Sequence, residues 1–314
     1  MRAWWQDLTD LVLPAECGGC GRPRTVLCPE CRAALSGAAP RRVRPDPVPR
    51  GLPVVHAAAP YEDEVRAALL AHKERGVLTL ATPLGTALAG AVRAALGHPR
   101  LPAPLPRGAG SDGPLGRPPG GKDGPSVTGG GRGPVLLVPV PSSRRSVRAR
   151  GHDPARRIAL AAAGELRRAG APVRVLAVLR QRRVVADQAG LNSRQRLSNL
   201  AGALEVATGG GRLLAGAGAV VLVDDLMTTG ASLAEAARAV RVAMTDAEAY
   251  GTEPGEATGE RIRRRAGKRM TEATEECEDR KPAAPEWTDR SGAGVLIRAA
   301  VVAASPDGFE INRN

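Results

Sequence analysis

Val220-Val221-Leu222-Val223-Asp224-Asp225-Leu226-Met227-Thr228-Thr229-Gly230-Ala231-Ser232 runs from an apolar segment through two acids into a small, hydroxyl-rich loop. The Val-rich run Ala219 to Val223 reads as a buried strand, and Leu233 to Val242, with Ala and Leu at three- and four-residue spacing, reads as the helix that follows. A helix that starts at a strand end offers unpaired N–H groups and a partial positive charge to an anion. Thr228, Thr229, Gly230, Ala231 and Ser232 therefore form a candidate phosphate loop, with hydroxyl donors from 228, 229 and 232 and a close backbone approach at Gly230. Carboxylates at Asp224 and Asp225 would repel that phosphate, so they should face another part of the ligand. Two adjacent ionised acids suit the vicinal diol of a ribose, which donates two hydrogen bonds. The competing reading is a plain helix cap, although the pattern is longer than a cap requires.

Working outward, Val135 to Val140, Val173 to Leu179 and Val295 to Ala304 are further Val-rich runs of strand length, and Ala155 to Ala169 has helical apolar spacing. Strand–helix–strand repetition predicts an α/β fold, a mostly parallel sheet flanked by helices. Other phosphate motifs fail: no Gly-Lys-Ser/Thr ending occurs, and Gly216-Ala217-Gly218 precedes its strand, where a dinucleotide fingerprint would follow one.

The run Val138 to Asp153 leaves a strand end with Ser142 and Ser143 followed by Arg144, Arg145, Arg148 and Arg150. Strand ends are where doubly wound sheets bind ligands, and guanidinium forks suit phosphate oxygens. Ser142, Ser143, Arg144 and Arg150 are the candidate pyrophosphate-binding residues, with a surface role the alternative for each arginine.

Near the N-terminus, Cys17-Gly18-Gly19-Cys20 and Cys28-Pro29-Glu30-Cys31 are two Cys-x-x-Cys pairs separated by seven residues. Each pair can present two thiolates to one tetrahedral ion, so a structural zinc site at Cys17, Cys20, Cys28 and Cys31 is expected, with a redox dithiol the competing reading. Four protein ligands leave no open position, so such a metal would hold the fold and do no chemistry.

These pieces predict a knuckle module over 1–40, a helical linking region over 52–100, and an α/β domain over 134–244 and 292–314. Two inserts, 101–133 rich in Gly and Pro and 245–291 dense in charge, are expected to be disordered.

Aromatic residues make up only 2% of the chain, so the core must be built from Ala, Val and Leu, and base-stacking platforms for single strands are scarce. The formal net charge of +13 is concentrated between Arg132 and Arg212, which hold sixteen Arg, no Lys and four acids. Such a field favours polyanionic ligands. No apolar run reaches the length of a membrane span, and the cysteine usage suits a reducing compartment, so a cytoplasmic protein is expected.

The 220–232 stretch resembles the phosphoribosyltransferase signature at all thirteen positions. Gln188, Leu191, Arg196 and Asn199, read with Arg150-Gly151-His152-Asp153 and the cysteine knuckle, resemble the ComF family, although His152 and Asp153 replace its usual aromatic residue and Asn. Tyr61, Val65 and His72-Lys73 resemble that family's segment between finger and transferase domain; Lys73 could reach a phosphate there, although a solvated helix-end lysine is the expected reading.

The resemblance implies a type I phosphoribosyltransferase-like domain that binds phosphoribosyl diphosphate or ribose 5-phosphate, with Mg²⁺ bridging pyrophosphate and sugar. If the protein is such an enzyme, Asp225 is the catalytic candidate, near the developing cation or as a base toward an unknown acceptor. The resemblance also implies the alternative of a non-catalytic protein acting with single-stranded DNA and a DNA-uptake helicase.

Overall fold

The computed structural model describes residues 16–97, 133–142, 147–148, 150–183, 193–251 and 295–310. Most of both inserts, His98, Cys277, the three tryptophans, and Ser143, Arg144, Gln188 and Leu191 lie outside the described residues.

The fold is α/β, with a six-stranded, mostly parallel sheet flanked by helices and a four-cysteine cluster at its N-terminal side. Strands β1 (Arg41–Val43), β2 (Val55–Pro60), β3 (Val135–Pro139), β4 (Val173–Val175), β7 (Ala219–Met227) and β8 (Leu296–Ala304) line up in the order β1-β2-β8-β7-β3-β4. Only β1 runs antiparallel to its neighbour. A separate antiparallel pair joins β5 (Leu179–Gln181) to β6 (Leu204–Val206).

Side-chain alternation divides the sheet between two apolar layers. Leu137, Val221, Val223 and Ala300 face helices α3 (Ala81–Ala95) and α4 (Pro154–Arg168) through Leu84, Leu88, Ile158 and Ala162. Leu136, Val138, Val220 and Leu222 face α7 (Ala231–Gly251) through Leu233, Ala236 and Val240, with Leu214 of α6 (Gly210–Ala215) beside them. With so few aromatics, packing relies on small residues brought close together. A Cβ on Gly85 of α3 would sit 2.5 Å from the Ala161 side chain of α4.

Four sequence expectations are corrected. The 52–100 region is more than helical: β2 lies inside the main sheet, between β1 and β8, ahead of α2 (Asp63–Lys73) and α3. Its Ala-rich sequence, Val-His-Ala-Ala-Ala-Pro, shows little strand propensity and is held by parallel pairing with β8. The expected strand Val173 to Leu179 splits in two, because the chain turns at Leu176–Val178, where the Val178 amide donates to the Leu176 carbonyl. Strand β7 continues past Val223 through both acids to Met227, since β8 pairs with it that far. Helix α7 begins two residues before Leu233 and runs beyond Val242 to Gly251, into the segment expected to be an insert, packing against α6 near Gly211 and Ala247.

The β5–β6 pair is tied to α7 by Glu235, only 6% exposed. Its carboxylate accepts from the Leu204 amide at 3.0 Å and from the Arg238 fork at 2.7 and 2.8 Å. Among the described residues, no helix is long and apolar enough to cross a membrane.

Candidate functional site

Strand β3 leads through α4 to β4 on one side, whereas β7 leads through α7 to β8 on the other. The two crossovers diverge on opposite faces, so a crevice opens at the carboxyl ends of β3 and β7, the usual ligand position in open α/β sheets. The register places both candidate halves there. Pro139, the last residue of β3, pairs with Val223, so Asp224, Asp225 and Ser142 all lie just past the end of that ladder.

The two acids of β7 lie close enough for the Asp225 carboxyl to act on that of Asp224. Asp225 is buried, and its Oδ2 accepts a 2.8 Å hydrogen bond from Lys73 Nζ at the C-terminus of α2. Lys73 is thus an element of the site, which corrects its reading as a solvated helix-end lysine. Burial opposes the charge on Lys73, but the Asp225 carboxylate outweighs it and raises the ammonium pKa. Asp224 keeps some surface and accepts from the Asp225 amide at 2.8 Å. Desolvation by the surrounding protein, and then the Asp225 charge, push its carboxyl pKa well above the usual range, with Lys73 pulling the other way.

The loop after β7 turns as its sequence suggests. Gly230 has φ +71°, a conformation that favours glycine, and Ala231 opens α7. A Cβ at Gly230 would meet Leu52 at 3.1 Å and Pro45 at 3.3 Å, so the β1–β2 connection backs this loop. Glycine is therefore required by φ and by Leu52 and Pro45, in addition to any closeness to an anion. Thr228 is exposed, and its Oγ1 accepts from Arg196 Nη1 at 3.3 Å. Arg196 belongs to α5 (Ser193–Leu200), and its buried Nε has no hydrogen-bond partner among the described residues.

On the β3 side, Ser142 is half-buried and lines a cavity of about 320 Å³ together with Arg148 and Arg180. Arg150 makes a fork to Glu74, 3.1 Å from Nε to Oε2 and 2.8 Å from Nη2 to Oε1. His152 spans two carbonyls, with Nδ1 3.1 Å from the Arg150 oxygen and Nε2 3.2 Å from the His72 oxygen, and its ring lies 5.7 Å from that of the buried His72. Asp153 caps α4, accepting from the Arg156 amide at 3.2 Å. The residues at 152 and 153 thus have structural tasks. Glu74 is a site neighbour that the sequence does not reveal, and Lys73 and Arg196 stand out there only through the family resemblance.

The four cysteines converge as expected. Their Sγ atoms lie within 4.8 Å of one another, and Cys17, Cys28 and Cys31 are buried. The Cys20–Cys28 separation of 3.6 Å is far too long for a disulfide and near the edge, about 3.8 Å, of a tetrahedron with 2.3 Å zinc–sulfur bonds. Amides of Cys28 and Cys31 donate to the sulfurs of Cys17 and Cys28 at 3.3 and 3.5 Å. Burial raises the Cys17 thiol, but amide hydrogen bonds led by that from Cys28 outweigh it and bring it down to about 6, while burial pushes Cys31 upward. Four sulfurs so close cannot all ionise without a cation, so the donor set fits a closed divalent site with zinc's sulfur preference. Among the described residues this is the one such cluster of His, Cys, Asp or Glu.

The knuckle is packed into the same core as α2, α3 and α4. A Cβ on Gly18 would meet Leu80, and one on Gly19 would meet Glu64 of α2. No protein-family model matches this chain, and a search of curated proteins found no match.

Proposed function

We propose that the crevice binds phosphoribosyl diphosphate or ribose 5-phosphate and that the protein is a phosphoribosyltransferase-like, ComF-type cytoplasmic protein with a structural zinc in its knuckle. The observation that carries this reading is the junction of β7 and α7. Two acids lie near the end of a buried strand at the switch point of the sheet, and a glycine-hinged hydroxyl loop leads from that strand into a helix N-terminus. The loop suits a 5-phosphate, the acids suit the ribose diol, and the basic segment after β3 suits a pyrophosphate.

Mg²⁺ fits this donor set in the way it usually binds phosphate substrates, through one or two carboxylates with the remaining ligands from phosphate and water. Asp224 and Asp225 would supply the carboxylates, and the bound ion would neutralise the leaving pyrophosphate. In the transfer reaction the C1–oxygen bond to pyrophosphate breaks, the bond pair leaves with pyrophosphate, and an acceptor nucleophile forms a bond to C1 as it loses its proton. Asp225 would stabilise positive charge developing on the sugar or take that proton.

Calorimetric titration of the Asp224→Asn/Asp225→Asn variant tests the ligand. Each charge-assisted hydrogen bond is worth about 1.5–3 kcal/mol, so ribose 5-phosphate should bind about tenfold more weakly or worse, with inorganic phosphate little affected. Equal binding of both ligands by variant and parent would reduce the acids to a helix cap and remove the assignment.

A second reading, binding of single-stranded DNA in concert with a DNA-uptake helicase, draws support from the exposed knuckle arginines Arg24 and Arg32. Such binding would be electrostatic and would fall steeply with added salt.

A further inference from the structure

The last turn of α2 touches both halves of the crevice. His72 offers its carbonyl to His152, Lys73 pairs with Asp225, and Glu74 holds Arg150 in a two-bond fork. Three consecutive residues thus join the acid strand β7 to the segment after β3, across sequence separations of 80, 152 and 76 residues. The cation of one pair lies against the ribose-site acid, and the anion of the other lies on a candidate pyrophosphate arginine. Both ion pairs put intramolecular partners where the proposed ligand would bind.

Resting on the ribose-phosphate reading above, we propose that Lys73 and Glu74 form a specificity element that makes the site prefer a sugar carrying a diphosphate at C1 over ribose 5-phosphate. A ribose diol that takes both carboxylate oxygens of Asp225 displaces the Lys73 ammonium from Oδ2. C1 is bonded to C2, so a diphosphate on C1 lies beside the displaced ammonium and gives it a new anionic partner. Ribose 5-phosphate has only a neutral oxygen at C1, and its binding leaves Lys73 without a counter-charge in a setting where only a third of the side chain is solvent-exposed. Arg150 behaves in parallel: a diphosphate can take its guanidinium fork from Glu74, and ribose 5-phosphate has no group to do so. Lys73 is thus a competitor of one ligand and a partner of the other.

The sign of the effect separates this role from a structural one. Zinc-loaded full-length protein is titrated with ribose 5-phosphate and, with Mg²⁺, phosphoribosyl diphosphate, as parent, Lys73→Met, Lys73→Arg and Glu74→Gln. Lys73→Met should bind phosphoribosyl diphosphate about tenfold more weakly and ribose 5-phosphate as tightly as the parent or a few-fold tighter, while Lys73→Arg keeps the parent's preference. Glu74→Gln should tighten phosphoribosyl diphosphate by about threefold by releasing Arg150, with ribose 5-phosphate unchanged. Equal weakening of both ligands by Lys73→Met would make Lys73 a packing residue and overturn the proposal, as would a Glu74→Gln protein with unaltered affinity for the diphosphate. If the parent binds neither sugar phosphate, the underlying ligand assignment fails, a result distinct from binding without discrimination at Lys73.

Discussion

The cysteine knuckle and the strand-end crevice are built on opposite plans. The knuckle's four ligands fall between Cys17 and Cys31, and its amide–sulfur hydrogen bonds span 3 and 11 residues. The crevice draws on α2, the segment after β3, β7 and α5, and its Lys73–Asp225 ion pair spans 152 residues. A locally closed site can be read from spacing alone, whereas a site assembled by the sheet reveals only the part carried on one strand and its loop. The knuckle is also not detached from the crevice, because α2 packs against it near Glu64 and reaches the crevice at Lys73.

The largest expected effect lies on the local side. One zinc per chain should copurify, measured by elemental analysis, and Cys31→Ser or chelation should remove it. Zinc binding to small thiolate sites supplies about 10–16 kcal/mol, so residues 16–36 should then become newly open to proteolysis. Because α2 shares the knuckle's core, protection at Lys73 in hydrogen exchange should fall as well. Unaltered exchange along α2 would show the two regions to be energetically separate.

On the crevice side, Gly230→Val forces a β-branched residue to φ +71° and toward Leu52, with an expected loss of about 2–3 kcal/mol in denaturant unfolding and weaker binding of every phosphate ligand alike. Lys73→Met leaves Asp225 buried without its cation. The cost should be about 1–2 kcal/mol, since Lys73 is partly solvated and water can take its place.

A smaller effect concerns pH. The folded-state pKa of Asp224 is raised, so the native state holds a proton that the unfolded state has released. Stability from this residue is therefore highest below the ordinary aspartate value of about 3.9 and declines as pH rises from there toward the raised value. Asp224→Asn, which cannot ionise, should escape that decline, so its stability advantage over the parent should widen from pH 4 to pH 7. A constant gap across that range would show that Asp224 ionises freely. Smallest of all, Arg22→Ala removes an exposed pair with Glu30 and should leave thermal midpoint and zinc content unchanged.

What was legible in the sequence follows the same division. The Val-rich runs marked β3, β7 and β8 because buried parallel strands are apolar on both faces, and the cysteine spacing located the metal ligands. Strand β2 was not legible, since three alanines in its six residues have no period and weak strand preference, and the strand exists through its ladder with β8. The break at Leu176–Val178 was hidden because Val and Leu continue through it, although the backbone turns there to begin another sheet. The acids and the loop at 224–232 were visible as a unit, but the cation that pairs with Asp225 was not. Lys73 ends an amphipathic helix, and its spacing alone does not distinguish it from a lysine in water.

Strand β8 has a consequence for the order in which the protein can be completed during synthesis. It lies between β2 and β7 and is hydrogen-bonded to both, yet it is translated after them. Until it emerges, β2 with β1 and β7 with β3 and β4 are two half-sheets, each with an unpaired parallel edge facing the gap. About 240 residues separate Val55 from its partner Ala299, so the first half-sheet must wait through most of translation at roughly 5–20 residues per second. Open edges of this kind invite pairing with other chains. The alanines that make β2 hard to recognise as a strand also make it a weak template, and a nascent chain with a bland waiting edge is less prone to join its neighbours on the same message.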